Sequence, residues 1–226
     1  MFLTSGEHRN LSDGPNAEPL RVAPWLSRRG FFRRVILAGA GLGVATEAMS
    51  SQARTKGSGS IRWTRQVRAV TRTLRIPRGR WKWIIAHHSG VAQGNAAIYG
   101  KAHRQRGMEN GLAYHFLIGN GVDSDDGEIE IGTRWRKQIG GGHVRQFDMN
   151  EVAIGICLVG NFQQNSPTPR QLMAFRELVD YLRSEVVGAK IRFAVHREID
   201  PGHTACPGRW FPTEEMHRRY GALRKG

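Results

Sequence analysis

The chain is short of cysteine, of acidic residues and of long apolar runs. Two cysteines, Cys157 and Cys206, stand among 226 residues. That count excludes a disulfide-built scaffold, which needs cysteine at several times this density. Cys157 lies in the apolar run VAIGICLVG, where free cysteine commonly fills a buried slot. Cys206 lies in the loop TACPG, close to two histidines, and no disulfide between the pair is expected. No apolar stretch reaches the roughly 20 residues that a free-standing membrane helix needs. Acidic residues are outnumbered 19 to 34 by lysine and arginine, and the formal net charge is +15. Such an excess implies an anionic partner, either nucleic acid or a bacterial envelope with its wall carboxylates and anionic polymers. No recognised nucleic-acid motif accompanies the charge. With 39% hydrophobic and 23% charged residues, the chain has a globular composition and not a disordered one. It contains no internal repeat.

The first 53 residues read as an export signal. From Ser27 to Ala53 the sequence SRRGFFRRVILAGAGLGVATEAMSSQA carries an arginine pair, Arg28 and Arg29, then aromatics, more arginine, and a short apolar run from Val35 to Ala45. This order is that of a basic n-region followed by an h-region, and the arginine pair resembles the twin-arginine type. The expected destination is the periplasm or cell envelope, with membrane contact through the signal alone. No cysteine follows the h-region, which argues against a lipoprotein. An envelope destination weighs against nucleic acid and for the cell wall. Residues 54–80 hold many arginines and no acid, and read as a basic linker or N-terminal arm, with a first strand as an alternative.

From residue 81 to 226 strand and helix patterns alternate. Strands are expected over Trp81–His87, Tyr114–Ile118, Ile129–Gly132, Val152–Gly160 and Ile191–Val195. The continuous apolar run at Val152 suits a strand buried on both faces. Helices are expected over Asn95–Arg106, from a Thr168 cap to Gly188, and from a Thr213 cap to about Leu223. Thr168, Pro169 and Gln171 form a capping-box start. Behind it, Leu172, Phe175, Leu178, Val179, Leu182 and Val186 make one apolar stripe. The alternation predicts an α/β fold: a single domain with a central mixed sheet flanked by helices.

Three residues are possible zinc ligands. His87 and His196 each follow an apolar strand pattern, in WKWIIAH and IRFAVH, and strand ends open onto the rim of an α/β sheet. Cys206 ends the loop HREIDPGHTAC, in which Pro201-Gly202 supplies a turn that folds it back. Two imidazoles and a thiolate are good zinc donors, and three protein ligands leave a fourth position open, the pattern of a catalytic centre. In the doublet His87-His88, neighbours on a strand face opposite ways. One histidine alone can reach a shared ion, and His88 is expected to support or pack. His115, next to Tyr114, is likewise expected to be structural.

The stretches IIAHHSG, GLAYHFLIGNG, NEVAIGICLVGNF, PTPRQL and HREIDPGHTACPG occur in the order found in the zinc-dependent N-acetylmuramoyl-L-alanine amidases. From about Trp81 to Phe211 the chain resembles this family, which includes phage amidase lysozymes and peptidoglycan recognition proteins. The resemblance implies zinc at the sheet rim, held by His87, His196 and Cys206. It implies hydrolysis of the amide joining N-acetylmuramic acid to L-alanine, with peptidoglycan or muropeptides as partner. It matches Tyr114 to an assisting tyrosine and Thr204 to a position that carries lysine or threonine. The His196–Cys206 loop is two residues longer than in the recognition proteins, with His203 inside it. Candidate substrate contacts are His143, where the family has a substrate-facing histidine, His103 on the expected helix, and Asn150, which fits a structural turn better. The alternative is a non-catalytic peptidoglycan-binding module on the same fold. Binding-only members typically lack the thiolate ligand, and this chain has Cys206.

Overall fold

Two apolar runs make the centre of the sheet. Trp83–His88 forms strand β1 and Ala153–Leu158 forms strand β4, and every residue from Trp83 to His87 and across β4 is buried. A computed structural model describes residues 62–222. The expected export signal and the Gly-Ser part of the expected linker lie outside the described residues. Strands β2 (Phe116–Ile118), β3 (Ile129–Ile131) and β5 (Arg192–Val195) complete a five-stranded sheet in the order β3-β2-β4-β1-β5. Neighbouring strands pair in parallel except β3, which runs antiparallel to β2, so the sheet is mixed.

The two faces divide the work. Alternation along each strand sends successive side chains to opposite sides. Ile84, Ala86, Phe116, Ile118, Ile154, Ile156, Phe193 and Val195 pack on one side, against helices α1 (Arg65–Arg72), α5 (Pro169–Tyr181) and α7 (Thr213–Tyr220). Phe175 and Leu178 of α5 are fully buried there, and each such side chain contributes roughly 1.5–3 kcal/mol. Trp83, Ile85, Leu117, Cys157 and Ala194 lie on the other side, beneath three other elements: α2 (Ala96–Gln105), α4 (Phe147–Val152) and the single turn α6 (His196–Ile199). A further short helix, α3 (Thr133–Lys137), follows β3. Among the described residues no helix is long and apolar enough to cross a membrane.

The capping box of α5 forms as its residues dictate. Thr168 Oγ1 accepts from the Gln171 amide at 3.0 Å, and Gln171 Oε1 accepts from the Thr168 amide at 3.1 Å. Past Tyr181 the helix widens into a π turn, Leu182–Val186, before Gly188. Three sequence expectations need correction. Residues 65–72, assigned to a linker, strand or arm, are helical. Its capping acceptor comes from another helix: the Glu177 carboxylate of α5 accepts from the Thr64 amide at 2.9 Å, the Thr64 hydroxyl at 2.7 Å and the Trp63 amide at 3.2 Å. Thr213 is the first residue of α7 and makes no cap; its hydroxyl accepts from Arg197 Nη2 at 2.6 Å. Tyr114 and His115 precede β2 and are not part of it.

Candidate metal centre

Register brings the two histidines together. β1 and β5 are neighbours, aligned up to the pair Ala86–Val195, so the next positions, His87 and His196, lie side by side. Their ring centroids are 4.6 Å apart. The loop after α6 returns Cys206 to the same place, held by a 2.8 Å hydrogen bond from the Arg197 amide to the Cys206 carbonyl. One ligand atom from each of His87, His196 and Cys206 lies within 4.8 Å of the others.

The free nitrogens can be read from the hydrogen bonds. His87 is fully buried, with Nε2 3.0 Å from His143 Nδ1. Its other nitrogen, Nδ1, lies 3.8 Å from Cys206 Sγ. His196 Nε2 donates to Asp200 Oδ2 at 2.9 Å, which leaves Nδ1 for the site. Asp200, one turn later on the same face, is itself held by the Arg145 amide at 3.0 Å. In a tetrahedral zinc centre, nitrogen and sulfur ligands stand about 3.6 Å apart, given bonds of roughly 2.0–2.1 and 2.3 Å. The residues present therefore fit zinc in donor chemistry and in the spacing of His87 Nδ1 from Cys206 Sγ.

Electrostatics agree with that fit. Burial, with His143, His196 and His88 close by, holds His87 well below the usual imidazole range. Burial also lowers His196, against the opposing pull of Asp200. Both rings are thus neutral at pH 7, as metal ligation requires. Burial pushes the Cys206 thiol up to about 12, although the His88 amide donates to the sulfur at 3.3 Å and Arg197 is near. Without a cation the sulfur keeps its proton. A bound metal ion supplies the positive charge that makes the thiolate.

Tyr114 stands beside this cluster, its ring centroid 5.2 Å from that of His87. Burial, with Cys157 and Cys206 close by, pushes its hydroxyl well above the ordinary tyrosine value. It is therefore a neutral donor at any physiological pH. Thr204 Oγ1 accepts from the Cys206 amide at 3.1 Å, which leaves the hydroxyl proton free to donate. His103 faces Tyr114 with centroids 6.1 Å apart, and its Nδ1 accepts from the Ala113 amide at 3.0 Å. His203 is at the exposed rim, with Nδ1 3.4 Å from Arg145 Nη1.

Two expected substrate contacts are elsewhere. His143 is buried beneath His87 and engages both ring nitrogens internally, Nδ1 with His87 and Nε2 with the Ala153 carbonyl at 3.3 Å. Asn150 is buried in α4. Its Oδ1 accepts from the His143 amide at 2.8 Å and the Val144 amide at 3.2 Å, while Nδ2 donates to the Val144 carbonyl at 2.7 Å. Its polar atoms serve the loop that carries His143, and none is left for a ligand. Asp200 was not anticipated, although the spacing HREID, with histidine and aspartate at i and i+4, would have placed both on one helical face. His88 points to the opposite side, where Nδ1 accepts from the Phe162 amide at 3.0 Å. His115 Nδ1 accepts from the Gly155 amide and its Nε2 bonds to the Ile139 carbonyl. Cys157 and Cys206 are both free thiols.

The sequence profile of the N-acetylmuramoyl-L-alanine amidase family matches residues 77–209, more than half of the chain and all of the cluster above. The chain belongs to this family. Members related to this N-acetylmuramoyl-L-alanine amidase family chain include recognition proteins as well as amidases. Peptidoglycan-recognition protein SC2 of Drosophila melanogaster is 32% identical over 99 residues, covering 43% of this chain and 47% of that protein. Peptidoglycan recognition protein 3 of Mus musculus is 37% identical over 68 residues, covering 30% of this chain and 17% of that protein. The chain thus spans about half or less of the length of these curated relatives. Among solved structures, the endolysin N-acetylmuramoyl-L-alanine amidase LysCS of Clostridium intestinale is 28% identical with a TM-score of 0.52, over 64% of this chain and 86% of that one. Drosophila PGRP-LB, 20% identical with a TM-score of 0.52 over 68% of this chain and 93% of that one, shares the fold.

Proposed function

We propose that this family member is a zinc-dependent amidase that cleaves the bond between N-acetylmuramic acid and L-alanine in peptidoglycan. The observation that carries the reading is the convergence of His87, His196 and Cys206, each with one free donor atom and a partner that holds it. Zinc bound by these three supplies an open coordination position that lowers the pKa of water and polarises a carbonyl oxygen.

The chain's own groups do the rest. Asp200 turns His196 and strengthens it as a donor. The His88 amide donates to the Cys206 sulfur and lowers the cost of a buried thiolate. Tyr114, kept protonated, donates a hydrogen bond to the oxygen on which charge develops during attack on the amide. Thr204 offers a second, neutral donor, so its electrostatic share is smaller than that of a lysine at this position. Residues 1–53 act as a twin-arginine-type signal that delivers residues 54–226 to the periplasm or cell envelope. There the excess of arginine and lysine suits a wall rich in carboxylates.

Digestion of defined muropeptides by the protein, with mass analysis of products, tests the reading. Release of intact stem peptides beginning at L-alanine supports it, as does loss of that release on zinc chelation or in Cys206→Ser. Retained activity after chelation sinks the zinc mechanism. Binding without release of stem peptide would replace the amidase with a recognition module.

A further inference from the structure

The imidazole of His143 is buried, with a partner at each ring nitrogen. Its Nε2 is 3.3 Å from the Ala153 carbonyl, an oxygen that can only accept, so Nε2 carries a proton. In a neutral ring the other nitrogen, Nδ1, is then bare, and it lies 3.0 Å from His87 Nε2. A hydrogen bond between two ring nitrogens holds one proton, which must sit on His87 Nε2. That leaves His87 Nδ1 bare and turned to Cys206 Sγ at 3.8 Å.

We propose that His143 is a positioning residue: the relay from the Ala153 carbonyl through His143 fixes the tautomer and ring angle of His87, so that Nδ1 faces the metal position. The proposal rests on the reading of His87 as a ligand. Two further observations support it. A Cβ on Gly155 or on Gly141 would fall 2.4 Å from His143 Cδ2, so both glycines leave room for the ring. Gly155 lies inside the buried strand β4, where glycine weakens a strand and needs a packing reason. The backbone at His143 is held in turn by Asn150, whose Oδ1 accepts from the His143 and Val144 amides. The two histidines of the cluster are thereby oriented differently: His196 by a carboxylate, His87 by a neutral relay that aims the ring and adds no charge.

The test uses the full chain and its His143→Leu and His143→Asn variants. Asparagine retains an acceptor near the position of Nδ1, and leucine does not. Nitrogen-15 NMR of the zinc-free protein reads the His87 tautomer directly. The expected result is the Nε2–H form in the unsubstituted chain and a mixture in His143→Leu. Zinc affinity, measured by chelator competition, is expected to fall about 10–100-fold in His143→Leu and to recover at least tenfold of that in His143→Asn. An Nδ1–H tautomer in the unsubstituted zinc-free chain overturns the proposal, even if the variants fail to fold. Equal loss in both variants also overturns it, because His143 then only fills its slot. The His87→Ala variant separates the two levels: if it keeps full zinc affinity, the ligand reading itself fails; if it loses zinc while His143→Leu does not, only the positioning role fails.

Discussion

Substituting Gly155 by alanine probes the slot beneath His87 from the strand side. The added Cβ would stand 2.4 Å from His143 Cδ2, 2.6 Å from Nε2 and 2.7 Å from Cγ. Carbon contacts are comfortable at about 3.5–4.0 Å, so ring and strand must separate by roughly 1 Å. Neither yields easily. Gly155 is in the middle of β4, paired with Ile85 of β1, and the His143 backbone is tied to Asn150. Overpacking of this kind costs about 1–3 kcal/mol. Losing the hydrogen bond to His87 or to Ala153 adds about 1 kcal/mol. The expected loss of stability is therefore about 2–4 kcal/mol, or a fall in Tm of roughly 4–16 °C for a domain of this size. Zinc affinity should fall with it, by about 10–100-fold. Urea unfolding and chelator competition measure the two effects. The double variant Gly155→Ala with His143→Ala has room for the Cβ, so it should regain stability relative to the sum of the single changes, with a coupling of 1 kcal/mol or more as for other residues in contact, but not zinc affinity. A Gly155→Ala protein with unchanged stability and unchanged zinc affinity would refute the confined-ring argument.

Three other outcomes follow from the geometry. His87→Ala and Cys206→Ser should each remove bound zinc and activity together, whereas His88→Ala should retain much of the zinc, because its ring holds the Phe162 amide on the opposite face; metal analysis after gel filtration decides, and equal zinc loss in all three would show the face assignment to be wrong. Asp200→Ala should weaken zinc by about 10–100-fold by releasing His196 Nε2, read by chelator competition against the unsubstituted protein. Burial pulls the Glu177 carboxyl upward, but the hydrogen bonds from Thr64 and from the Trp63 and Arg62 amides outweigh it and hold it below its ordinary 4.5. The folded state then binds fewer protons than the unfolded state, so the contribution is complete above the ordinary value and is lost as pH falls through the folded one. Glu177→Gln should accordingly cost about 1 kcal/mol at pH 7 and progressively less in acid, as measured by urea unfolding across pH; a difference independent of pH would contradict the assignment.

The helix that the sequence concealed is set by a partner distant in the chain. Helix α1 has arginine at its first position, no acid in its first turn and β-branched residues within it, all of which read against a helix. Its capping acceptor is Glu177, more than a hundred residues on. Asn150 and His143 stand out in the sequence, but no pattern reveals their partners, a loop backbone and a strand-end imidazole. The π turn after Tyr181 and the helical turn at His196 are too short to leave a period in the sequence.

What the sequence determined by itself was everything carried by local pattern. The apolar runs became the buried strands β1 and β4, and Thr168, Pro169 and Gln171 closed the start of α5. Alternation along β1 separated His87 from His88, and the chemistry of imidazole and thiol singled out His87, His196 and Cys206. Tertiary structure alone decided how those groups are aimed. Strand register set His87 beside His196, the relay to Ala153 turned His143 from an expected substrate contact into a buried support, and Asp200 closed on His196 in one helical turn. Hydrogen bonds from a loop to a strand end have no periodicity to betray them, so the candidate ligands were legible and the relay through His143 was not.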